Sequence, residues 1–177
     1  MNKPFSAVIL GGAKNVFDDY ARATEMHDFD LVIGINNIVS EVPEINHAVT
    51  MHPDKMAKWL EDRQANGFPP IPKLWTARER TIPEGHNYEI LKNTRGGSGL
   101  LAIFVARYLN CQKIVLCGIP MERLEEHYHT AGQWKECKLY RRIWEANESL
   151  KRNDDIRSLS GGWTQEQYGQ PSLDWFG

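Results

Sequence analysis

Short apolar runs alternate with helix-periodic stretches along most of this chain. Residues 5–10, 30–35, 48–51 and 113–118 are nearly unbroken hydrophobic segments, each too short for a helix. Unbroken hydrophobicity over so few residues is what a strand buried on both faces needs, as in parallel sheets. Residues 15–26 instead carry Val16, Tyr20, Ala23 and Met26 at helical spacing. A second helix opens at Asp54 and runs to Asn66, with Gly67 suited to its C-terminal stop. Residues 100–109 read as an apolar helix. Residues 134–152 read as one long amphipathic helix bearing Trp134, Tyr140 and Trp144, aromatics assigned to the core. The proline-rich stretch 68–84 encloses a short strand at 73–76, and residues 156–159 form a last strand. Residues 85–94 carry no readable pattern, and 121–132 read as a polar loop.

Strands alternating with helices imply βαβ units. The expected fold is α/β: a single Rossmann-like, doubly wound, mainly parallel sheet with helices on both faces. One domain spans residues 1–177, with a C-terminal tail from about residue 160.

Composition narrows the partners. The chain of 177 residues carries 21 Lys+Arg against 23 Asp+Glu, a formal net charge of −2. A duplex-DNA binder needs a basic excess for phosphate contacts, so no nucleic-acid partner is expected. No apolar run approaches the roughly 20 residues of a membrane span, and no signal peptide is evident. Three cysteines, Cys111, Cys117 and Cys137, form no C-x-x-C pair, which points to a reducing cytoplasm and buried thiols. Six tryptophans, including Trp163 and Trp175 near the end, suggest an exposed patch and a homodimer contact.

Ligands of open parallel sheets bind beyond the carboxyl ends of the strands, where strand order reverses. The strand ends here are polar and glycine-rich: Gly11-Gly12 with Lys14 and Asn15, then Asn36-Asn37, then His52-Pro53, then Gly118. Glycines at the first turn would let a phosphate or ribose approach the backbone. Arg95-Gly96-Gly97-Ser98-Gly99 precedes an apolar helix, a backbone nest at a positive dipole end, with Ser98 as N-cap or ligand donor. His127 and His129 are the candidate acid–base residues, since imidazole titrates near neutral pH. No third ligand stands at a diagnostic spacing from them, so no metal site is expected. His27, His47 and His86 read as surface or structural residues.

These residues resemble a family group. Residues 7–53 and 94–120 are similar to the Rossmann-like bacterial sialyltransferases of the Campylobacter type and to the related 6-hydroxymethylpterin diphosphokinase domain. Gly11 matches the glycine turn after the first strand of those enzymes, and Asn15 stands where a serine is usual. Asn36 matches the nucleotide-touching asparagine, and His52-Pro53 an Asn-Pro-like pair. Gly97-Ser98-Gly99 through Gly118-Ile119-Pro120 matches T-S-G, helix, strand and G-I-D, with Pro120 replacing the acid. The resemblance implies a nucleotide or nucleotide-sugar substrate, no further cofactor, and a general base at His127 or His129. Residues 157–164 and 169–171 look similar to tails of bacteriophage-encoded proteins. Two alternatives stand beside a nucleotide-dependent transferase. One is a nucleotide sensor or sequestering protein without chemistry. The other is a phosphoribohydrolase of the P-G-G-x-G-T-x-x-E type, for which Leu100 and Ile103 replace the Thr and Glu.

Overall fold

The computed structural model describes residues 3–92, 94–122, 126–129 and 136–177. The apolar runs become β1, β2, β3 and β6 of seven strands among the described residues: β1 (Ser6–Leu10), β2 (Leu31–Ile35), β3 (His47–Val49), β4 (Lys73–Thr76), β5 (Glu89–Ile90), β6 (Lys113–Cys117) and β7 (Ile156–Ser158). They form one sheet in the order β5-β4-β3-β2-β1-β6-β7, and every pairing is parallel. The chain therefore steps outward from β1 to β5 and then returns to the opposite side of β1. Its strand order reverses between β1 and β6.

The helices are α1 (Val16–Met26), α2 (Pro53–Ala65), α3 (Gly97–Tyr108), α4 (Cys137–Glu145), α5 (Glu148–Lys151), α6 (Gly162–Tyr168) and α7 (Leu173–Phe176). Alternate strand residues face opposite ways, so the sheet has two cores. Ala7, Ile9, Ile33, Ile114 and Leu116 pack with α3 and with Trp144 and Trp163. Val8, Leu10, Val32, Val115 and Cys117 pack with Val16 and Ala23 of α1, Met56 of α2 and Phe176 of α7. Helices cover both faces, as the alternating pattern requires. Among the described residues, no helix is long and apolar enough to cross a membrane.

Several local readings shift. β3 stops at Val49, not Met51, because the Met51 N–H donates to the Ser98 hydroxyl (3.0 Å) and the His52 N–H to the Thr50 hydroxyl (2.8 Å). Both groups turn away from the sheet. The long helix over 134–152 is two helices, because Asn147 caps α5 by accepting from the Ser149 N–H. Trp134 lies outside the described residues, as does most of the 121–132 loop. β5 was illegible because its two residues, Glu89 and Ile90, are only a scrap of strand. Lys73 pairs with Glu89 across this edge (2.9 Å).

The stretch from Ser160 folds into α6 and α7. Trp163 is buried in a T-shaped contact with Trp144, which removes it from any exposed tryptophan patch. Trp175 is half-buried between the Lys113 ammonium (4.5 Å) and the Arg157 guanidinium (5.0 Å). His27 stacks on Phe176 at 4.0 Å, a structural role. On the outer side of β7, the Ser158 N–H donates to the Gly169 carbonyl (2.9 Å). Cys111, Cys117 and Cys137 are all buried and unpaired.

Arg63 is the largest charged group in the interior, 2% exposed. No carboxylate neutralises it within ion-pair distance among the described residues. Its guanidinium donates to the carbonyls of Val39, Val42, Pro43 and Pro69 at 2.6–2.7 Å, tying α2 to the loop after β2 and to the loop before β4. The planar fork of donors suits four separate acceptors, which a lysine ammonium cannot match. Arg63→Ala orphans those carbonyls and is expected to cost roughly 3 kcal/mol or more. Arg63→Lys should recover less than half of that loss. Urea denaturation midpoints of the three proteins measure it; equal midpoints for Arg63→Ala and wild type would refute the role.

Candidate functional site

The predicted strand ends do meet. A cavity of about 850 Å³ opens at the carboxyl edge of the sheet, lined by Gly11, Gly12, Asn36, His52, Gly97, Ser98, Gly99, Gly118 and His127, together with Arg78, Arg95 and Glu136. This lies within the size range of small-molecule sites and at the strand-order reversal between β1 and β6. Asn15 is not part of it. Its amide donates to Asp19 and to the Ser160 carbonyl (both 3.3 Å), so it anchors the first turn to the chain after β7. The structure does not bring Asn15, expected beside the ligand, into the lining of the cavity.

The glycines serve packing. A Cβ on Gly11 would lie 2.4 Å from the Gly118 carbonyl oxygen, and one on Gly12 would lie 2.4 Å from His127 Nε2. A side chain at either position would strike the protein itself, while both glycines still line the cavity. Gly118 adopts φ +66, and a side chain there would meet Val16. Gly97 and Gly99 lie against the rings of Tyr140 and Trp144, each 3.1 Å from a built Cβ. Thus α4 packs directly over the start of α3.

Asn36 is the most constrained residue of the site. It follows β2 at φ 57, a left-handed conformation tolerated by asparagine better than by most side chains. Its Oδ1 accepts from the Thr50 hydroxyl (2.8 Å) and from the Ser98 hydroxyl (3.3 Å). Those hydroxyls in turn accept the N–H groups of His52 and Met51. With both hydroxyls donating to Oδ1, Nδ2 lacks a hydrogen-bond partner among the described residues. Ser98 is consequently a cross-link from α3 to Asn36 and to Met51 beyond β3, not the N-cap of α3. That position belongs to Gly96 in a left-handed conformation, and no side chain caps the helix.

The histidines separate. The segment Glu126–Tyr128 runs antiparallel to the Gly12–Lys14 turn: Lys14 N–H donates to the Glu126 carbonyl (2.8 Å) and Tyr128 N–H to the Gly12 carbonyl (3.0 Å). His127 faces the cavity, whereas exposed His129 faces a second groove of about 530 Å³ between α2 and the 3₁₀ turn Asn36–Ser40. The pair does not share a site, and His129 is withdrawn as a candidate there. Among the described residues, no cluster of three His, Cys, Asp or Glu could hold a metal ion. His127 Nδ1 accepts from the His129 N–H (3.1 Å), which leaves the ring proton of the neutral form on Nε2. Burial, with His129 nearby, lowers the pKa of His127. Burial likewise lowers His52, helped by Lys55 and Arg78.

Charge is unevenly spread around the cavity. Glu122 is ion-paired to Arg141 (2.7 Å) and Glu126 to Lys14 (2.8 Å). Arg78, Arg95 and Glu136 have no ion-pair partner among the described residues. Among the described residues lining the cavity, these two guanidiniums and this carboxylate are thus left unpaired.

Thr50, Arg78, Glu136 and Asp19 were missed in sequence. Only Asp19 left a signal: it sits on the apolar face of α1 between Val16 and Ala23. Buried there, it accepts the Gly118 N–H (2.9 Å) and so shapes the turn after β6. No family model, curated protein or solved structure matches the chain.

His47 also has a lowered pKa, through burial and then Lys73, and its Nδ1 accepts from Trp75 Nε1 (3.0 Å). Protonating His47 or His127 would set donor against donor. A folded pKa below the unfolded value near 6.5 gives stability that is full above that value and lost as pH falls. The melting temperature should therefore drop between pH 7 and pH 5, and His47→Asn, which keeps an acceptor near Nδ1, should reduce that drop. A melting temperature flat over this interval would contradict the buried neutral histidines.

Proposed function

We propose that the chain is a nucleotide-dependent transferase. The observation that carries this is the convergence on one cavity of donors without a partner among the described residues: Asn36 Nδ2, the uncapped N-terminus of α3, Arg78 and Arg95. A helix N-terminus flanked by two guanidiniums suits a diphosphate, and a rigid asparagine amide suits the acceptor edge of a base or a ribose hydroxyl. The likeness to the sialyltransferase and pterin diphosphokinase group adds support through Asn36 and Gly97-Ser98-Gly99. In this reading an acceptor hydroxyl oxygen attacks the transferred group while the bond to the nucleotide's phosphate oxygen breaks. The departing phosphate takes the electron pair, and the donors at α3 stabilise its charge. The hydroxyl proton goes to the Glu136 carboxylate.

A second reading, a nucleotide-binding sensor without chemistry, is favoured by one observation: His127 Nε2 carries a proton in the neutral ring and has no lone pair for a base to use. The phosphoribohydrolase reading has less support, since the positions of its Thr and Glu are Leu100 and Ile103, both fully buried in the core.

Calorimetry with CMP, CDP, UDP, GDP, ATP and sugar nucleotides tests the proposal; no binding by any of them at millimolar concentration would sink it. Asn36→Asp should weaken the bound nucleotide at least about tenfold, because the donor to the base or ribose becomes a charged acceptor. Glu136→Gln should bind within about twofold of wild type yet turn over roughly a hundredfold more slowly. A nucleotide recovered unchanged after long incubation with every acceptor tried would favour the sensor.

A further inference from the structure

We infer that His127 serves the bound nucleotide as a fixed hydrogen-bond donor, presenting Nε2–H to an anionic oxygen, and that it is not the base of the site. This deepens the transferase reading and rests on it.

The geometry leaves the ring little choice. A neutral imidazole carries one proton, and the peptide N–H of His129 already donates to Nδ1 at 3.1 Å. That nitrogen must offer its lone pair, so the proton resides on Nε2. The peptide donor is itself fixed, because residues 126–128 are clamped to the first turn by the Lys14-to-Glu126 and Tyr128-to-Gly12 hydrogen bonds. The ring also stacks on Tyr128 at 4.8 Å. Rotating it to exchange the nitrogens would lose the His129 bond.

Nε2 comes to rest beside Gly12, where any side chain would collide with it. Gly12 and Ala13 begin the segment leading into α1, and Gly12 lines the same cavity as the N-terminus of α3. A ligand oxygen in that cavity would meet a donor at Nε2, alongside Asn36 Nδ2 and the arginines. Burial keeps the ring neutral, which preserves the arrangement at physiological pH. No proton moves through His127: losing the Nε2 proton from a neutral ring would create an imidazolate, far too basic to form near pH 7. The contribution is a preorganised dipole aimed at negative charge.

The test combines two measurements. The first is a long-range ¹H–¹⁵N correlation of histidine rings in the free protein at pH 7.5, with His127 assigned by its disappearance in His127→Gln. Protonation at Nε2 is expected, and a ring protonated at Nδ1 would overturn the inference. The second is calorimetry with CDP and with inorganic pyrophosphate on wild type, His127→Gln and His127→Ala, each checked for an unchanged melting curve. The glutamine amide supplies an N–H at a similar reach, so His127→Gln should bind within about threefold of wild type while His127→Ala loses about tenfold. Wild-type affinity in His127→Ala, or equal losses in both variants, would count against a donor role. Should wild type bind neither probe nor any nucleotide of the calorimetric panel, the transferase reading falls, whereas an Nδ1-protonated ring removes this inference alone.

Discussion

Everything in the molecule is arranged around the confinement of β1. It is buried on both faces and hydrogen-bonded on both edges, to β2 and to β6, so its backbone has no free side. The chain can depart only past Leu10, and the neighbouring strand departs past Cys117 at the same level. The two turns must share one narrow space. Glycine at positions 11 and 118 is what allows this, and Asp19 satisfies the Gly118 N–H that the crowding would otherwise leave buried and unpaired. The cavity follows as the region where the neighbouring connections diverge to opposite sides of β1.

Sequence patterning reads this architecture well because the signal is collective. The runs at β1, β2 and β6 are hydrophobic at nearly every position, and only a strand with two buried faces needs that. The clustering of polar residues at strand ends likewise locates the rim of the cavity without coordinates. What patterning misreads is the reason for individual residues. Gly11, Gly12, Gly97 and Gly99 look like openings for a ligand; all four line the cavity, but the side chain each lacks would strike Gly118, His127, Tyr140 or Trp144. A glycine in sequence says that something comes close, not what. Ser98 looks like a helix cap, but it spends its hydroxyl on Met51 and Asn36, contacts between residues far apart in the chain.

The histidine pair shows a second limit. Two residues apart in an extended segment, His127 and His129 look equivalent, and their difference arises only from the bridge to the first turn. One side chain is directed to each side of that bridge, and the backbone of the second fixes the ring of the first. Tautomer, accessibility and neighbours are all tertiary properties. Arg78 and Glu136 are similarly mute in sequence, since an exposed charge acquires meaning only when others nearby are already paired.

The borders of the sheet have a bearing on how this protein behaves among its own copies. A parallel sheet ends in two rows of unsatisfied peptide groups, and these can recruit a stranger's strand. Here one border is the two-residue β5, too brief to template anything and flanked by the Lys73–Glu89 pair. The other is occupied by the returning chain, whose Gly169 carbonyl takes the outward-facing Ser158 N–H. Both margins are thus poor templates for an added strand, one too short and the other partly covered by its own chain.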